Sequence, residues 1–106
     1  MEVHRRLGPG FNEKIYELAL THEFELQGIP YERQRKVDVY YKDLQVGEYA
    51  LDLVVDGKVV VELKAVPEIL PLHCAQALAY LRASGLKLAI VLNFGELKMT
   101  QKRVVG

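Results

Sequence analysis

The stretch ALDLVVDGKVVVELK, residues 50–64, decides the fold and carries the central charged residues. Its first half alternates apolar and other side chains, and its second half has three consecutive valines after Lys58. Between the halves lies Asp56-Gly57, a dipeptide that is typical of tight β-hairpin turns. The stretch therefore predicts two antiparallel strands that carry charges inside otherwise apolar sequence.

The charges of this hairpin predict a metal site. An extended chain places Glu62 and Lys64 on the same face of the second strand. Asp52 lies in the middle of the preceding apolar strand, where a charge is costly unless it is paired or bound to a metal. Two carboxylates aimed at one point suit Mg²⁺ or Mn²⁺, and a neighbouring ammonium orients water or stabilises charge on a phosphate.

The length of the turn decides whether the two carboxylates meet. A two-residue turn would place Asp52 opposite Val61, on the face away from Glu62. A three-residue loop that includes Lys58, or a bulge, would place Asp52 opposite Glu62 instead. The dipeptide favours the shorter turn, so the metal site requires the longer loop or the bulge. In the first strand, strict alternation predicts one face for Tyr49, Leu51, Leu53 and Val55.

The sequence around the hairpin predicts a mixed α/β fold. Hydrophobic periodicity, helix caps and turn residues mark the other elements. The predicted elements are the tail of a helix at Met1–Leu7, a helix from Asn12 to Gly28, strands at Arg33–Tyr41, Val46–Val55 and Lys58–Lys64, a helix at Leu72–Ser84 closed by Gly85, a buried strand at Leu86–Phe94 and an edge strand at Lys98–Val105. This order predicts helices packed on a central sheet.

The helices add further polar candidates. Glu13 lies in the first turn of the first long helix, where the macrodipole favours an anion. In the second long helix, His73, Gln76 and Tyr80 form one polar stripe beside an apolar one. Such a stripe either faces water or lines a cleft, and nothing within the helix decides which.

Composition limits the class of protein. The chain has 106 residues, 50% hydrophobic and 26% charged, with 14 basic and 14 acidic side chains. This excludes disorder, and no apolar run approaches the length of a membrane span. The single cysteine, Cys74, excludes a disulfide framework and favours a soluble cytoplasmic domain. Zero net charge means that nucleic acid would need a local basic patch, such as Arg33–Lys36.

Several motifs resemble one known family. GFNEKIY, residues 10–16, matches the Gly-x-x-Glu-x-x-Tyr signature of the GxxExxY family. The similarity continues through most of the chain, at residues 3–9, 28–34, 47–54, 61–66, 85–87 and 92–95, the last of which reads LNFG. That family is grouped with the PD-(D/E)xK nuclease-like superfamily. Its restriction-endonuclease-like core consists of a helix, a three-strand meander, a second helix and a further strand.

The resemblance implies a role for individual residues. Asp52 and Glu62 would bind the metal, with the Leu63 carbonyl as a third ligand, and Lys64 would be the catalytic lysine. Glu13 would be the acidic residue that many members carry on the first helix. The pair that resembles the Gln-x-x-x-Tyr element of RecB-related nucleases is Gln76 and Tyr80. Residues 1–106 would form one domain, whose late start is consistent with loss of the N-terminal part of its first helical element.

The combined prediction is a Mg²⁺- or Mn²⁺-dependent nuclease that acts on nucleic acid. Arg33, Arg35 and Lys36 would follow the phosphate backbone, and the small footprint of one domain is compatible with a homodimer. The alternative is a catalytically silent module on the same fold that binds nucleic acid or protein. A cysteine hydrolase built on His73 and Cys74 is disfavoured, because adjacent helical residues point about 100° apart.

Overall fold

A computed structural model describes all residues from Met1 to Gly106. The helices are α1 (Glu2–Leu7), α2 (Glu13–Gln27) and α3 (Pro71–Ser84), and the strands are β1 (Tyr31–Tyr41), β2 (Leu44–Val55), β3 (Val59–Lys64), β4 (Leu88–Asn93) and β5 (Thr100–Val105). The five strands form one sheet in sequence order. Only β3 and β4 run parallel, because α3 provides the crossover between them. The predicted mixed sheet flanked by helices is confirmed.

The predicted helix boundaries follow local signals in the sequence. Asn12 caps α2 by accepting a hydrogen bond from the Ile15 N–H at 3.3 Å. Gly28 ends the same helix in the left-handed conformation, with φ of 70°. None of the helices combines the length and apolar character needed to cross a bilayer.

The sheet separates two apolar clusters. The cluster on the α2 side consists of Val3, Tyr16, Leu20, Leu53, Val61, Leu63, Leu92 and Phe94. The cluster on the α3 side consists of Leu51, Val54, Val60, Ala77, Leu81, Ala89 and Val91. The central strands β3 and β4 contribute to both clusters, so they are covered on both faces, as their apolar sequences predict.

The hairpin between β2 and β3 has the register that the metal site requires. Asp56 and Gly57 both have left-handed φ angles, and the Lys58 N–H donates to the Val55 carbonyl at 3.0 Å, as in a short turn. The ladder, however, starts with Val55 opposite Val59, so Lys58 is an extra residue. This addition shifts the pairing by one residue and puts Asp52 opposite Glu62.

The face prediction for β2 is wrong at Asp52. Leu53 packs on the α2 side of the sheet, whereas Leu51 packs on the α3 side, although strict alternation predicts the same face for both. The change of face coincides with a local break of the β1–β2 pairing, where Gln34 on β1 has a left-handed φ of 52° and lies between the pairs Arg33–Leu53 and Arg35–Leu51. Regular pairing is therefore interrupted on both sides of Asp52, toward β1 at Gln34 and toward β3 beyond the Leu53–Val61 pair.

Candidate active site

Asp52 and Glu62 meet where the β2–β3 ladder ends. The last backbone pair is Leu53 with Val61. Beyond it, the Asp52 N–H donates to Glu62 Oε1 at 3.3 Å, and the Leu63 N–H donates to Asp52 Oδ2 at 2.8 Å. Side-chain oxygens thus replace carbonyl oxygens as acceptors, and one oxygen of each carboxyl group accepts no N–H bond. The two predicted carboxylate ligands are brought together.

The Leu63 carbonyl lies at the same edge of β3. In a β-strand, the N–H and C=O of one residue point to the same neighbouring strand. Because the Leu63 N–H points toward Asp52, its carbonyl also faces β2, beyond the last pair of the ladder. The third predicted ligand therefore faces the strand that carries Asp52.

The electrostatics of this pair fit a divalent cation. Burial raises the pKa of Glu62 to about 9, and the negative charge of Asp52 adds to the effect. Neither carboxylate forms a salt bridge. Two adjacent carboxylates without a basic partner supply the hard oxygen donors that Mg²⁺ and Mn²⁺ prefer. No group of three or more acidic, histidine or cysteine side chains is close enough to hold an ion, so the donor set would be completed by backbone or water oxygens.

Lys64 lies beside this pair on the α3 face of the sheet. Its Nζ donates a long hydrogen bond of 3.5 Å to Gln76 Oε1, so two of the predicted site residues are in contact. Lys64 has no salt-bridge partner, and its charge lowers the pKa of Glu62 against the larger effect of burial. The ammonium group is therefore near the carboxylates without being neutralised by them.

Tyr80 packs against Tyr49 of β2, a residue that the sequence did not predict to belong to the site. Its ring stacks on that of Tyr49, with centroids 4.0 Å apart and an interplanar angle of 18°. Burial raises the pKa of both tyrosines, and the charge of Glu62 raises them further. The polar stripe of α3 therefore lines the site at Gln76 and Tyr80, whereas His73 accepts from the Leu70 N–H at 2.9 Å and caps its own helix.

Glu13 reaches the site from the start of α2. It lines a cleft of about 230 Å³ together with Asp52 and Leu63. Burial raises the pKa of Glu13, while the opposing charges of Lys64 and Asp52 lower and raise it in turn. Glu13 is thus within electrostatic reach of the acidic pair but is not one of its direct contacts.

Tyr16, the last residue of the Gly-x-x-Glu-x-x-Tyr motif, orders the approach to α2. It is fully buried, and its hydroxyl donates to the Gly8 carbonyl at 2.6 Å and accepts from the Phe11 N–H at 3.2 Å. Its ring stacks on Phe94 with centroids 4.5 Å apart. The tyrosine therefore fixes the turn from which Glu13 projects.

A buried acid that was not predicted from the sequence, Glu17, also lines the cleft. Glu17 is 5% exposed and forms an ion pair with Arg33 at 2.9 Å. Its other carboxylate oxygen accepts from Gln34 Nε2 at 2.7 Å. Helical periodicity gives Glu17 no special position, because its partners lie on β1, so no local signal could have identified it.

The predicted basic segment does not form one surface. Arg33 points to the α2 side with Leu53, and Arg35 lies with Leu51 on the α3 side, because the pleat breaks between them. Arg35 lies 3.9 Å from Glu32, and the exposed Lys36 lies 3.6 Å from Glu48. Contact of all three side chains with one phosphate backbone stays a prediction.

Comparison with known proteins agrees with this geometry. The sequence model of the PD-(D/E)XK nuclease superfamily matches residues 1–104. No curated protein matches the chain. Among solved structures, that of SSO0001 has a TM-score of 0.66 at 15% identity, covering 87% of this chain and 48% of that one. An alkaline exonuclease from Laribacter hongkongensis has a TM-score of 0.66 at 10% identity, covering 89% and 56%.

The two structural matches support the fold, since both identities are low. The chain spans about half the length of each of them. The family match extends over nearly every residue and includes the strands that bring Asp52, Glu62 and Lys64 together. The chain belongs to the PD-(D/E)XK nuclease superfamily.

Proposed function

We propose that this protein is a divalent-metal-dependent nuclease that hydrolyses phosphodiester bonds in nucleic acid. The observation that carries the proposal is the meeting of Asp52, Glu62 and Lys64 at the end of the β2–β3 ladder. Members of the superfamily typically depend on a divalent metal. The raised pKa of Glu62 supports the same conclusion, because a buried carboxyl beside a second one favours either a proton or a cation.

Each residue of the site has a defined part in this proposal. Asp52, Glu62 and the Leu63 carbonyl would hold Mg²⁺ or Mn²⁺, which, when bound, supplies Lewis-acid activation of the phosphate and of water. The Lys64 ammonium orients the attacking water or stabilises the charge that develops on the phosphate. Gln76 restrains Lys64 through their hydrogen bond. Glu13 would bind a second ion or an outer-shell water.

Tyr80 and the exposed basic residues would contact the substrate side of the site. Stacking on Tyr49 fixes the Tyr80 ring next to Glu62, where its hydroxyl can position Lys64 or the phosphate. Lys36 and Arg35 would contact phosphates away from the reaction, whereas Arg33 would first have to leave Glu17. A second copy of the domain would extend the footprint on the nucleic acid.

A silent binding module on the same fold is the second candidate. The pairing of Arg33, Arg35 and Lys36 with acidic side chains, together with zero net charge, favours it over a nuclease. The unpaired Lys64 beside two carboxylates argues against it, because a binding module has no evident need for that combination.

A cleavage assay separates the two candidates. Single- and double-stranded DNA and RNA are incubated with the wild type, Asp52→Asn and Lys64→Ala, in Mg²⁺, in Mn²⁺ and in EDTA. Lys87→Ala is the matched control, since Lys87 is an exposed lysine outside the site. Metal-dependent cleavage by the wild type and the control, but by neither site variant, supports the nuclease. Binding without cleavage in every metal supports the silent module.

A further inference from the structure

Asn93 is a fully buried polar residue at the end of β4, and the proposed reaction gives it no direct role. It lies opposite Lys64 in the parallel β3–β4 ladder. Its Oδ1 accepts from the N–H groups of Val66 and Gly95, each at 3.0 Å. Its Nδ2 donates to the Val66 carbonyl and to Glu96 Oε2, each at 2.9 Å. The Asn93 amide thus makes two bonds as acceptor and two as donor, all of them to the loops that follow β3 and β4.

The first of these loops begins directly after Lys64. Both backbone groups of Val66 are bound to the Asn93 amide, and the Lys64 carbonyl accepts from the Phe94 N–H at 2.8 Å. The chain at residues 64–66 is therefore held at both ends by residues 93–94. We call this set of contacts the Asn93 clamp.

Gly95 allows the clamp to close. A Cβ atom at this position would lie 2.4 Å from both the nitrogen and the oxygen of Val66, so only glycine fits without movement of the backbone. The requirement here is one of space, because the φ angle of Gly95 is not left-handed. The close approach connects the β4–β5 loop to the end of β3.

The same segment is anchored to α1 and α2. Phe94 stacks on Tyr16, which orders the turn before Glu13. The Glu96 carboxylate accepts from the Thr100 hydroxyl, and the Glu96 carbonyl is 2.8 Å from His4 Nε2. The clamp is therefore supported from α1 and α2, and Thr100 of β5 binds only its outer member, Glu96.

We propose that Asn93 is a positioning residue that places the Lys64 ammonium relative to the Asp52–Glu62 pair. The inference rests on the proposed nuclease function. The amide fixes the backbone at Val66, on the opposite side of Lys64 from Leu63, whereas Leu63 and the two carboxylates are joined by the bonds of Leu63 N and Asp52 N. Loss of the clamp should therefore displace Lys64 and leave metal binding in place.

The test compares Asn93→Ala with Thr100→Val. The second variant removes the hydroxyl that supports Glu96 in the same network but leaves the four bonds of Asn93 in place. For Asn93→Ala we expect kcat to fall by about tenfold or more, since small misplacements of reacting groups cost up to about 100-fold. We expect KM and the Mg²⁺ midpoint to change by less than about twofold, and Thr100→Val to keep the wild-type kcat.

A third variant keeps the proposal testable if Asn93→Ala fails to fold. Asn93→Asp combined with Glu96→Gln keeps the two acceptor bonds and exchanges the donor and acceptor in the 93–96 contact. The Val66 carbonyl loses its donor, and the Thr100 hydroxyl, which donates to the same Glu96 oxygen, has to accept from the new amide instead. We expect this double variant to fold and to have a kcat below that of the wild type, and above that of Asn93→Ala where Asn93→Ala folds.

Backbone ¹⁵N order parameters for residues 64–66 provide a readout that is independent of activity. We expect them to fall in the Asn93 variants and to stay at the wild-type value in Thr100→Val. Unchanged order parameters in the Asn93 variants would show that Asn93 does not fix residues 64–66. Equal losses of kcat in Asn93→Ala and Thr100→Val would show that Asn93 affects activity only through the general stability of the fold. Absence of cleavage by the metal-bound wild type would overturn the proposed function, and the catalytic relevance of the clamp with it.

Discussion

The Asp52 N–H donates to Glu62 Oε1 at 3.3 Å, so the backbone of one acidic residue binds the side chain of the other. This bond stands where the next pair of an antiparallel ladder would be, and it turns the Glu62 carboxylate toward β2. The result is a buried acid next to a second acid, with no cation in ion-pair contact. Such an arrangement is costly in the metal-free protein unless one proton is retained.

Because Glu62 retains its proton, we expect the free energy of unfolding of the metal-free protein to depend on pH. Glu62 has a pKa of about 9 in the folded state, against 4.5 as the ordinary value. The folded state therefore binds more protons between these values, so the free energy of unfolding should fall as the pH rises from about 4.5 to about 9. The slope for one proton is at most about 1.4 kcal/mol per pH unit. Urea unfolding in EDTA at pH 5, 7 and 9 measures it.

Glu62→Gln is the control for this pH dependence. The amide cannot ionise, so its unfolding free energy should lose the part of the slope that Glu62 contributes. Equal pH profiles for the wild type and Glu62→Gln in EDTA would show that Glu62 carries its charge in the folded protein without penalty.

Tyr16→Phe should destabilise the protein by about 1–2 kcal/mol, because the Gly8 carbonyl and the Phe11 N–H lose their partner. The stack on Phe94 is kept, so the change isolates the hydroxyl. Tyr40→Phe is the matched control at an exposed tyrosine and should have almost no effect. Equal unfolding midpoints for Tyr16→Phe and Tyr40→Phe in a urea titration would contradict this role of the motif tyrosine.

Substitutions at two glycines should lower the free energy of unfolding by different amounts. Gly95→Ala forces a Cβ into the backbone of Val66, and we expect a loss of about 3 kcal/mol. Gly57→Ala meets no neighbouring atom and only strains a left-handed turn, at a cost of about 1 kcal/mol. Chemical denaturation of both variants gives the two values. A larger loss for Gly57→Ala than for Gly95→Ala would contradict the close packing of the β4–β5 loop on Val66.

The Glu17–Arg33 pair should behave as a partly buried ion pair. Arg33→Gln leaves the buried Glu17 carboxylate with Gln34 as its remaining side-chain partner, and we expect a loss of about 1–2 kcal/mol. Arg35→Gln removes a long contact to Glu32 and should cost less than about 0.5 kcal/mol. A double-mutant cycle with Glu17→Gln measures the coupling, and a coupling near zero would show that the pair does not act as one unit.

Local signals explain how far the fold could be predicted from the sequence. The Asn12 cap, the Gly28 and Gly85 helix ends and the Asp56-Gly57 turn each depend on a few neighbouring residues. The face shared by Glu62 and Lys64 follows from strand alternation alone. The order of elements and the position of the acidic residues on adjacent strands were predictable for this reason.

The remaining features depend on which elements meet in space. Tyr49 and Glu17 acquire their roles from Tyr80 on α3 and Arg33 on β1, and neither partner is visible in the periodicity of one segment. The change of face at Asp52 lies opposite the left-handed Gln34 on the neighbouring strand, and the residue type of Gln34 does not predict that conformation. The choice between the two turn registers likewise depended on Lys58, which the dipeptide rule assigns to the strand.

Metal binding by the wild type and Asp52→Asn tests the central claim most directly. Titration calorimetry with Mn²⁺ on chelator-treated protein measures the ion itself and needs no substrate. The amide of Asp52→Asn can still accept from the Leu63 N–H, so this variant should fold at least as stably in EDTA, because it relieves the repulsion with Glu62. We predict saturable Mn²⁺ binding by the wild type that is abolished in Asp52→Asn. Equal binding by both proteins, or no binding by a folded wild type, would contradict a metal site at Asp52 and Glu62.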